Sequence, residues 1–324
     1  MNRIPSVLLA GAMAASAIAP VAARADGFPD RPITFVVPFA AGTATDQIAR
    51  ALGNGITAET KQPVVIDNRA GASGFIASQM VAKAPPDGYT VLITTNTTHA
   101  ANEHLYKKLP YDPVKDYAPV AALGKGGQIM VVNPSSPAKT VADFVAMAKK
   151  APGKYSFGSG SSSSRMAGEL LQQMAGIKLL HVPYKSNTLA VTDLLGGQID
   201  MMITDTATGL PQVKSGKLRA LGVSGARRST LAPEVPTIAE AGVKGYEMGY
   251  WFAAYAPAKT PPAVVRRLND LLVKAAKSDA AKSAFYEPTG TEVFTTSPEE
   301  LAKFQAAESQ KWGRIVKAAG IEPE

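Results

Sequence analysis

The sequence predicts an α/β protein of two lobes, each a mixed, mainly parallel sheet flanked by helices, with a cleft between them. Three observations predict it. Short apolar runs alternate with helix-like stretches along nearly the whole chain, the pattern of strand–helix units. Two distant segments, 33–50 and 155–171, share one build: an apolar run, a loop of tiny residues, then an amphipathic helix start. Two further apolar runs, 128–133 and 250–257, lead into proline-rich turns and bracket a block with its own alternation. They read as strands crossing out of one lobe and back.

The elements follow in order. Residues 1–25 read as a signal peptide: Arg3 supplies the positive start, 4–22 an uncharged run, and Ala23-Arg24-Ala25 a small-x-small cleavage site after Ala25. That run is mostly Ala, Gly and Ser taken together, and no basic stop signal follows it, so export is favoured over a membrane anchor. With no Cys there is neither a disulfide nor a lipid-attachment thiol, and a soluble periplasmic protein is expected. Residues 26–324 are about two ordinary domains.

Strands are predicted at 33–38, 64–67 and 90–94, with helices at 45–59 and 74–84. After the crossing strand 128–133, Thr140 caps a helix at 140–151 and Gly153 follows it. A strand at 155–158 leads to a helix at 163–175 that Gly176 ends. Then come a helix at 188–196, strands at 201–204 and 218–223, and a helix at 237–241. The strand 250–257 returns, and helices at 261–278 and 298–319, the latter opened by Ser297-Pro298-Glu299-Glu300, pack back on the first lobe. The predicted units are 26–130 with 250–324, and 131–249.

The two loop–helix starts carry the chemistry. A helix start offers unpaired N–H groups and about half a positive charge, so it holds an anion without a charged side chain. Two such mouths suggest a clamp on one anion. Arg165, just after the serine run 161–164, is expected to point outward along its helix. The net charge of +8, reduced to +6 once Arg3 and Arg24 are removed, is spread in pairs such as Lys149-Lys150, Arg227-Arg228 and Arg266-Arg267. There is no basic stripe with interleaved aromatics, which argues against nucleic acid. A mild basic bias suits a small anionic ligand.

Enzyme chemistry finds little footing. His99, His104 and His181 have no zinc-motif spacing and there is no Cys. Residues 158–164 lack the Gly-x-Ser-x-Gly elbow, and no Gly-Lys-Ser or Gly-Lys-Thr follows either loop. No catalytic residue, metal or cofactor is expected.

Segments spread over the chain carry a resemblance: PDRPITFVVPF from Pro29, DNRAGASG from Asp67, PPDGYTVLITTN from Pro85 and LPYDPVKDYAPVA from Leu109. HVPYK from His181, DLLGGQID from Asp193, SGKLRALGVSGARRS from Ser215, VPTIAEAG from Val235 and KWGRIVKAAGI from Lys311 continue it. The chain resembles the solute-binding proteins of tripartite tricarboxylate transporters, the Bug family, within the type II periplasmic binding proteins. It departs at two places: Ala40-Ala41-Gly42-Thr43 stands where the family usually has a Gly-Gly pair, and Ser186 where it has Gly.

Carried over residue by residue, the resemblance implies a ligand site at Phe39, Ala40, Ala41, Gly42, Thr43 and Asp46 in the first loop. Ser159, Gly160, Ser161, Ser162, Ser163 and Ser164 form the second. Thr95, Asn96, Thr97, Tyr184 and Asp205 would line the same cleft. Such residues lie beyond the carboxyl ends of strands, where open α/β sheets bind ligands. Several also have purely structural readings: Asp46 as a helix-start carboxylate, Asp205 as a structural carboxylate, Tyr250 and Trp251 as core aromatics.

The expected function is an extracytoplasmic receptor that closes on an organic acid, a di- or tricarboxylate or an aromatic acid, and delivers it to membrane permease subunits. A monomer is expected. A co-receptor for a sensor kinase is the alternative, and a periplasmic hydrolase a weaker one.

Overall fold

The structure, a computed structural model, describes residues 27–318 and 320–323. The expected signal peptide and its cleavage point lie outside the described residues.

Nine strands form one sheet that bends at its middle: β1 (Ile33–Val37), β2 (Val64–Asn68), β3 (Thr90–Thr95), β4 (Tyr117–Val132), β5 (Ser156–Ser159), β6 (Leu180–Pro183), β7 (Met201–Asp205), β8 (Arg219–Val223) and β9 (Gly249–Pro257). Their order is β2-β1-β3-β9-β4-β7-β5-β6, with β8 also paired to β4. Parallel pairs hold the outer strands of each lobe, β1 with β2 and β3, β5 with β6 and β7. Antiparallel pairs surround β4 and β9 at the centre. The sheet is therefore mixed, with its parallel character confined to the outer strands.

β4 belongs to both lobes. Residues 117–127 pair with β9, while Gln128–Val132 pair with β7 and Ile129–Val132 also with β8. The sequence shows only the second half of this strand, because Pro119, Gly124, Gly126 and Gly127 interrupt the first. The register slips there, between Pro119 and Ala121 and between Ala122 and Gly124. Edge strand β6 is also missed, being short, half exposed and ended by Pro183.

Helices cover both faces: α1 (Ala44–Thr60), α2 (Phe75–Ala82), α3 (Asn102–Leu105), α4 (Val141–Lys150), α5 (Ser162–Ala175), α6 (Asn187–Leu195), α7 (Thr206–Lys214), α8 (Pro262–Lys277) and the last helix, Pro298–Ala318. Helix α7 escapes sequence reading because Gly209 and Pro211 sit inside it. The helix expected at 237–241 is instead a set of turns, anchored by a bridge from Thr237 to Val223. Legible caps are real caps. Thr140 accepts from Asp143 N–H at 3.0 Å while the Asp143 carboxylate accepts from Thr140 N–H at 2.9 Å. Ser297 and Glu300 make the same reciprocal pair.

Each lobe has its own core. Phe35, Ile48, Leu52, Leu268, Leu272 and Phe285 lie between the first lobe's sheet and α1 and α8. Ile129, Val131, Leu194, Met202 and Leu210 fill the second. A third cluster runs from Tyr117, Tyr255, Trp251 and Trp312 to Phe157 and Tyr246, joining the two. Full burial of each large side chain contributes about 1.5–3 kcal/mol.

Candidate functional site

The carboxyl ends of β1 and β5 face each other across the bend, and each feeds a helix through a tight loop. On the first lobe, Thr43 is the residue before α1, with extended φ −72°, ψ 160°. Its hydroxyl donates to Ala40 C=O at 2.7 Å and does not cap the helix. The first helical bond runs from Gln47 N–H to Thr43 C=O, so the N–H groups of Ala44, Thr45 and Asp46 precede it. On the second lobe, Ser161 caps α5 by accepting from Ser164 N–H at 3.2 Å, and Arg165 N–H makes the first helical bond. The N–H groups of Ser162 and Ser163 precede that one.

Two more helix starts join them. Gly160 N–H donates to the Asn187 side chain at 2.9 Å, at the first residue of α6. Asn187 in turn donates to Asp205 Oδ2 at 3.1 Å, and Asp205 Oδ1 accepts from Thr208 N–H at 2.8 Å, capping α7. Gly160 is dictated by this crowding: a Cβ there would lie 1.9 Å from the Ser186 carbonyl carbon.

These starts enclose an inner cavity of about 30 Å³, lined by Phe39, Thr43, Ala44, Thr45, Thr95, Gly160, Ser161, Ser163, Asn187, Asp205, Tyr250 and Phe252. Asp205 is the one charged side chain among these lining residues. Burial pushes the Tyr250 hydroxyl up to about 12, so it stays protonated. It lies 3.2 Å from Thr206 Oγ1 and 3.0 Å from Thr291 Oγ1.

An outer cavity of about 370 Å³ shares Phe39, Gly160 and Ser161 with the inner one. Its other walls include Ser73 and Tyr106 on the first lobe and Ser159, Ser162, Arg165, His181, Tyr184 and Lys185 on the second. Ser159 Oγ lies 2.7 Å from His181 Nε2, and Tyr184 donates to Asp193 at 2.8 Å.

Of the residues expected in the site, the structure gathers Phe39, Thr43, Thr95, Gly160, Ser161, Ser163 and Asp205 on the inner wall. Ser159, Ser162 and Tyr184 stand on the outer one. The others are elsewhere. Ala41 and Gly42 are exposed at the loop tip, and Ala40 serves as the acceptor for Thr43. Asp46 turns into the fold, where it accepts from Gly42 N–H, Arg50 and Asn68 at 2.9–3.1 Å. Asn96 and Thr97 are fully buried behind Thr95, and Asn96 donates to Gly249 C=O at 3.3 Å. Ser164 donates backwards to Ile203 C=O.

Arg165 does not point away: it lines the outer cavity with a side chain 20% exposed. Trp251 is core, donating to Glu308 at 3.2 Å. Sequence reasoning missed Ala44, Thr45, Asn187 and Phe252. Ser186-Asn187-Thr188 had the composition of a helix start, and Phe252 stands two residues from Tyr250 on the same strand face.

A wider groove of about 680 Å³ lies behind the bend, lined in part by Lys125, Arg228 and Glu292. Of its cations, Lys125 pairs with Glu292 at 3.4 Å, Arg228 with Glu240 at 2.8 Å and Lys282 with Asp279 at 3.2 Å, while Arg227 also lines it. Helix starts from both lobes line the smaller cavity instead. Among the described residues no group of His, Asp or Glu could hold a metal.

Two lobes hinged by two strands, with helix starts of both aimed into the cleft, define a solute-binding protein of the periplasmic type. The family described as Tripartite tricarboxylate transporter family receptor matches residues 48–321, and the chain belongs to it. The protein BugT of Bordetella pertussis is 35% identical over 323 residues, covering 99% of this chain and 98% of BugT. Among solved structures, Rhodopseudomonas palustris Rpa4515 with adipate is similar at TM-score 0.89 and 36% identity, covering 92% of this chain and 100% of that one. MatC from Rhodopseudomonas palustris with bound malate is similar at TM-score 0.85 and 30% identity, covering 89% of this chain and 100% of that one.

Proposed function

We propose that this receptor binds an organic carboxylate in the inner cavity and delivers it, as a periplasmic monomer, to the membrane permease of a tripartite transporter. The convergence of four helix starts from two lobes on one small cavity supports this reading. One carboxylate would be held there by N–H groups at the starts of α1 and α5, with the lining residues Thr43, Ser161 and Ser163 beside them. Asp205 is occupied with Asn187 and Thr208, so it caps α7 and leaves the anion to the N–H groups. The bodies that close on the acid are 26–130 with 250–324 and 131–249. A ligand bound to both favours the closed arrangement because it gains contacts there that the open one lacks. The acids held by the two similar structures, adipate and malate, set the first candidates. Calorimetry of the purified mature chain with these two acids, then with a panel of aliphatic and aromatic acids, is the test. One site per chain is expected; no binding across the panel, or ester turnover abolished by Ser161→Ala, would overturn the receptor reading.

A further inference from the structure

We infer that the groove behind the bend is a second ligand site, taking a small organic anion rich in hydroxyls, and that its occupant tightens acid binding in the inner cavity. The groove, about 680 Å³, lies where β4 changes partners: Gly127 pairs with Gly249 of β9, and Gln128 with Asp205 of β7. That volume is in the range of sites for small organic molecules. Its lining cations Lys125, Arg227, Arg228 and Lys282 outnumber the carboxylates of Glu287 and Glu292. Three of these cations have an acidic partner, whereas the exposed Arg227 has no ion pair among the described residues. A guanidinium recognises a carboxylate through paired N–H bonds.

Gln128 points to a ligand independently of charge. It lines the groove, is 1% exposed, and its Oε1 has no hydrogen-bond partner among the described residues. A buried amide oxygen left unpaired is costly, and an occupant's O–H would satisfy it. Thr206, Ser229, Thr230 and Thr291 add hydroxyls to the same lining. An anion whose acid group meets Arg227 and whose hydroxyls meet this amide and these side chains has the chemistry of a sugar acid.

Tyr250 joins the two sites. It lines the inner cavity, and its hydroxyl lies 3.2 Å from Thr206 Oγ1 and 3.0 Å from Thr291 Oγ1, both of which belong to groove residues. An occupant touching Thr206 and Thr291 together holds the arrangement in which the inner cavity is small and enclosed. A ligand favours the arrangement that gives it more contacts, so the two sites reinforce each other. This coupling alone rests on the receptor reading.

Calorimetry of the purified mature chain with gluconate and with hexanoate tests the site, since these six-carbon monoacids differ in their hydroxyls. Gluconate is expected to bind about tenfold tighter, the scale of one or two hydrogen bonds. Arg227→Ala, at an exposed position, should weaken gluconate about fivefold. Gln128→Met removes the unpaired oxygen, so it should weaken gluconate yet raise the melting temperature without ligand. Should Gln128→Met fail to fold, Thr230→Trp, which fills the groove from an exposed position, takes its place. Gluconate binding that is no tighter than that of hexanoate, or that either variant leaves unchanged, overturns the site. Adipate, or malate where adipate does not bind, should bind about fivefold tighter in saturating gluconate. An unchanged or weakened affinity overturns the coupling. Failure of both acids to bind overturns the receptor reading and the coupling with it, while the gluconate arm decides the groove by itself.

Discussion

His99 is fully buried, its ring stacked on Tyr255 with centroids 3.8 Å apart and its Nδ1 2.8 Å from Thr98 Oγ1. Burial lowers its pKa from 6.5 to about 3, and the rings packed around it, Tyr111, Tyr117 and Tyr255, stay neutral. The unfolded chain takes up this proton first, so stability is full above about pH 6.5 and declines as the pH falls below it, by about 1.4 kcal/mol per unit. His99→Phe should flatten the melting temperature between pH 6.5 and 4.5; an unchanged slope would place the linkage elsewhere. Asp46 acts lower. Burial alone would raise its carboxyl, but hydrogen bonds from Arg50, Gly42 N–H and Asn68 outweigh it and hold it below 3.8. Its contribution is present above that value and is lost as the pH falls through the folded pKa, so Asp46→Asn should lower the melting temperature at pH 7 more than at pH 3. Neither role could be assigned with certainty from sequence. For Asp46 at a helix start the sequence favours a structural carboxylate over a ligand contact, and Asn68, 22 residues later, holds it in that structural role.

At the scale of elements, the loops into α1 and α5 look alike in sequence and behave differently. The first leaves its helix start uncapped, while the second caps itself through Ser161. Ser161→Ala should therefore cost about 1 kcal/mol of stability as well as affinity. Thr43→Val should cost roughly 0.5–1.5 kcal/mol through the lost bond to Ala40. Melting curves with and without ligand separate the two. Gly160 tolerates no side chain because α6 begins against it, and Gly160→Ala should cost roughly 3 kcal/mol or more in denaturant unfolding. Gly42, by contrast, has φ +81° with open space around its Cα, so Gly42→Ala should strain the loop without entering the cavity. Most strands and long helices were legible because their apolar periodicity is uninterrupted. β4 and α7 were not, because prolines and glycines inside them are tolerated only through pairing with elements far away in sequence.

The whole molecule was legible chiefly as two lobes with facing mouths; which residues of those mouths reach the cavity was not, since that depends on side-chain direction across the cleft. Ligand at about a hundred times its dissociation constant should add roughly 2.7 kcal/mol to stability, read as a raised melting temperature. The hinge strands set a limit on this. A Cβ at Gly126 would lie 2.5 Å from the Tyr250 hydroxyl, and Tyr250 lines the inner cavity. Gly126→Ala should push that ring toward the ligand and weaken binding by roughly 1–3 kcal/mol without touching it. The course of β4 and β9 also orders events in time. The pairing of β5 with β6 joins near neighbours such as Phe157 and His181. The pairing of β3 with β9 joins residues far apart in sequence, with Leu92 waiting for Tyr255. Distant pairings form slowly because the intervening loop must first be closed. In refolding with pulsed hydrogen exchange, amides of β5 and β6 should gain protection before those joining β3 to β9. A chain caught between those two stages has a finished second mouth and nothing facing it, so the ability to hold an acid is the last property the protein acquires.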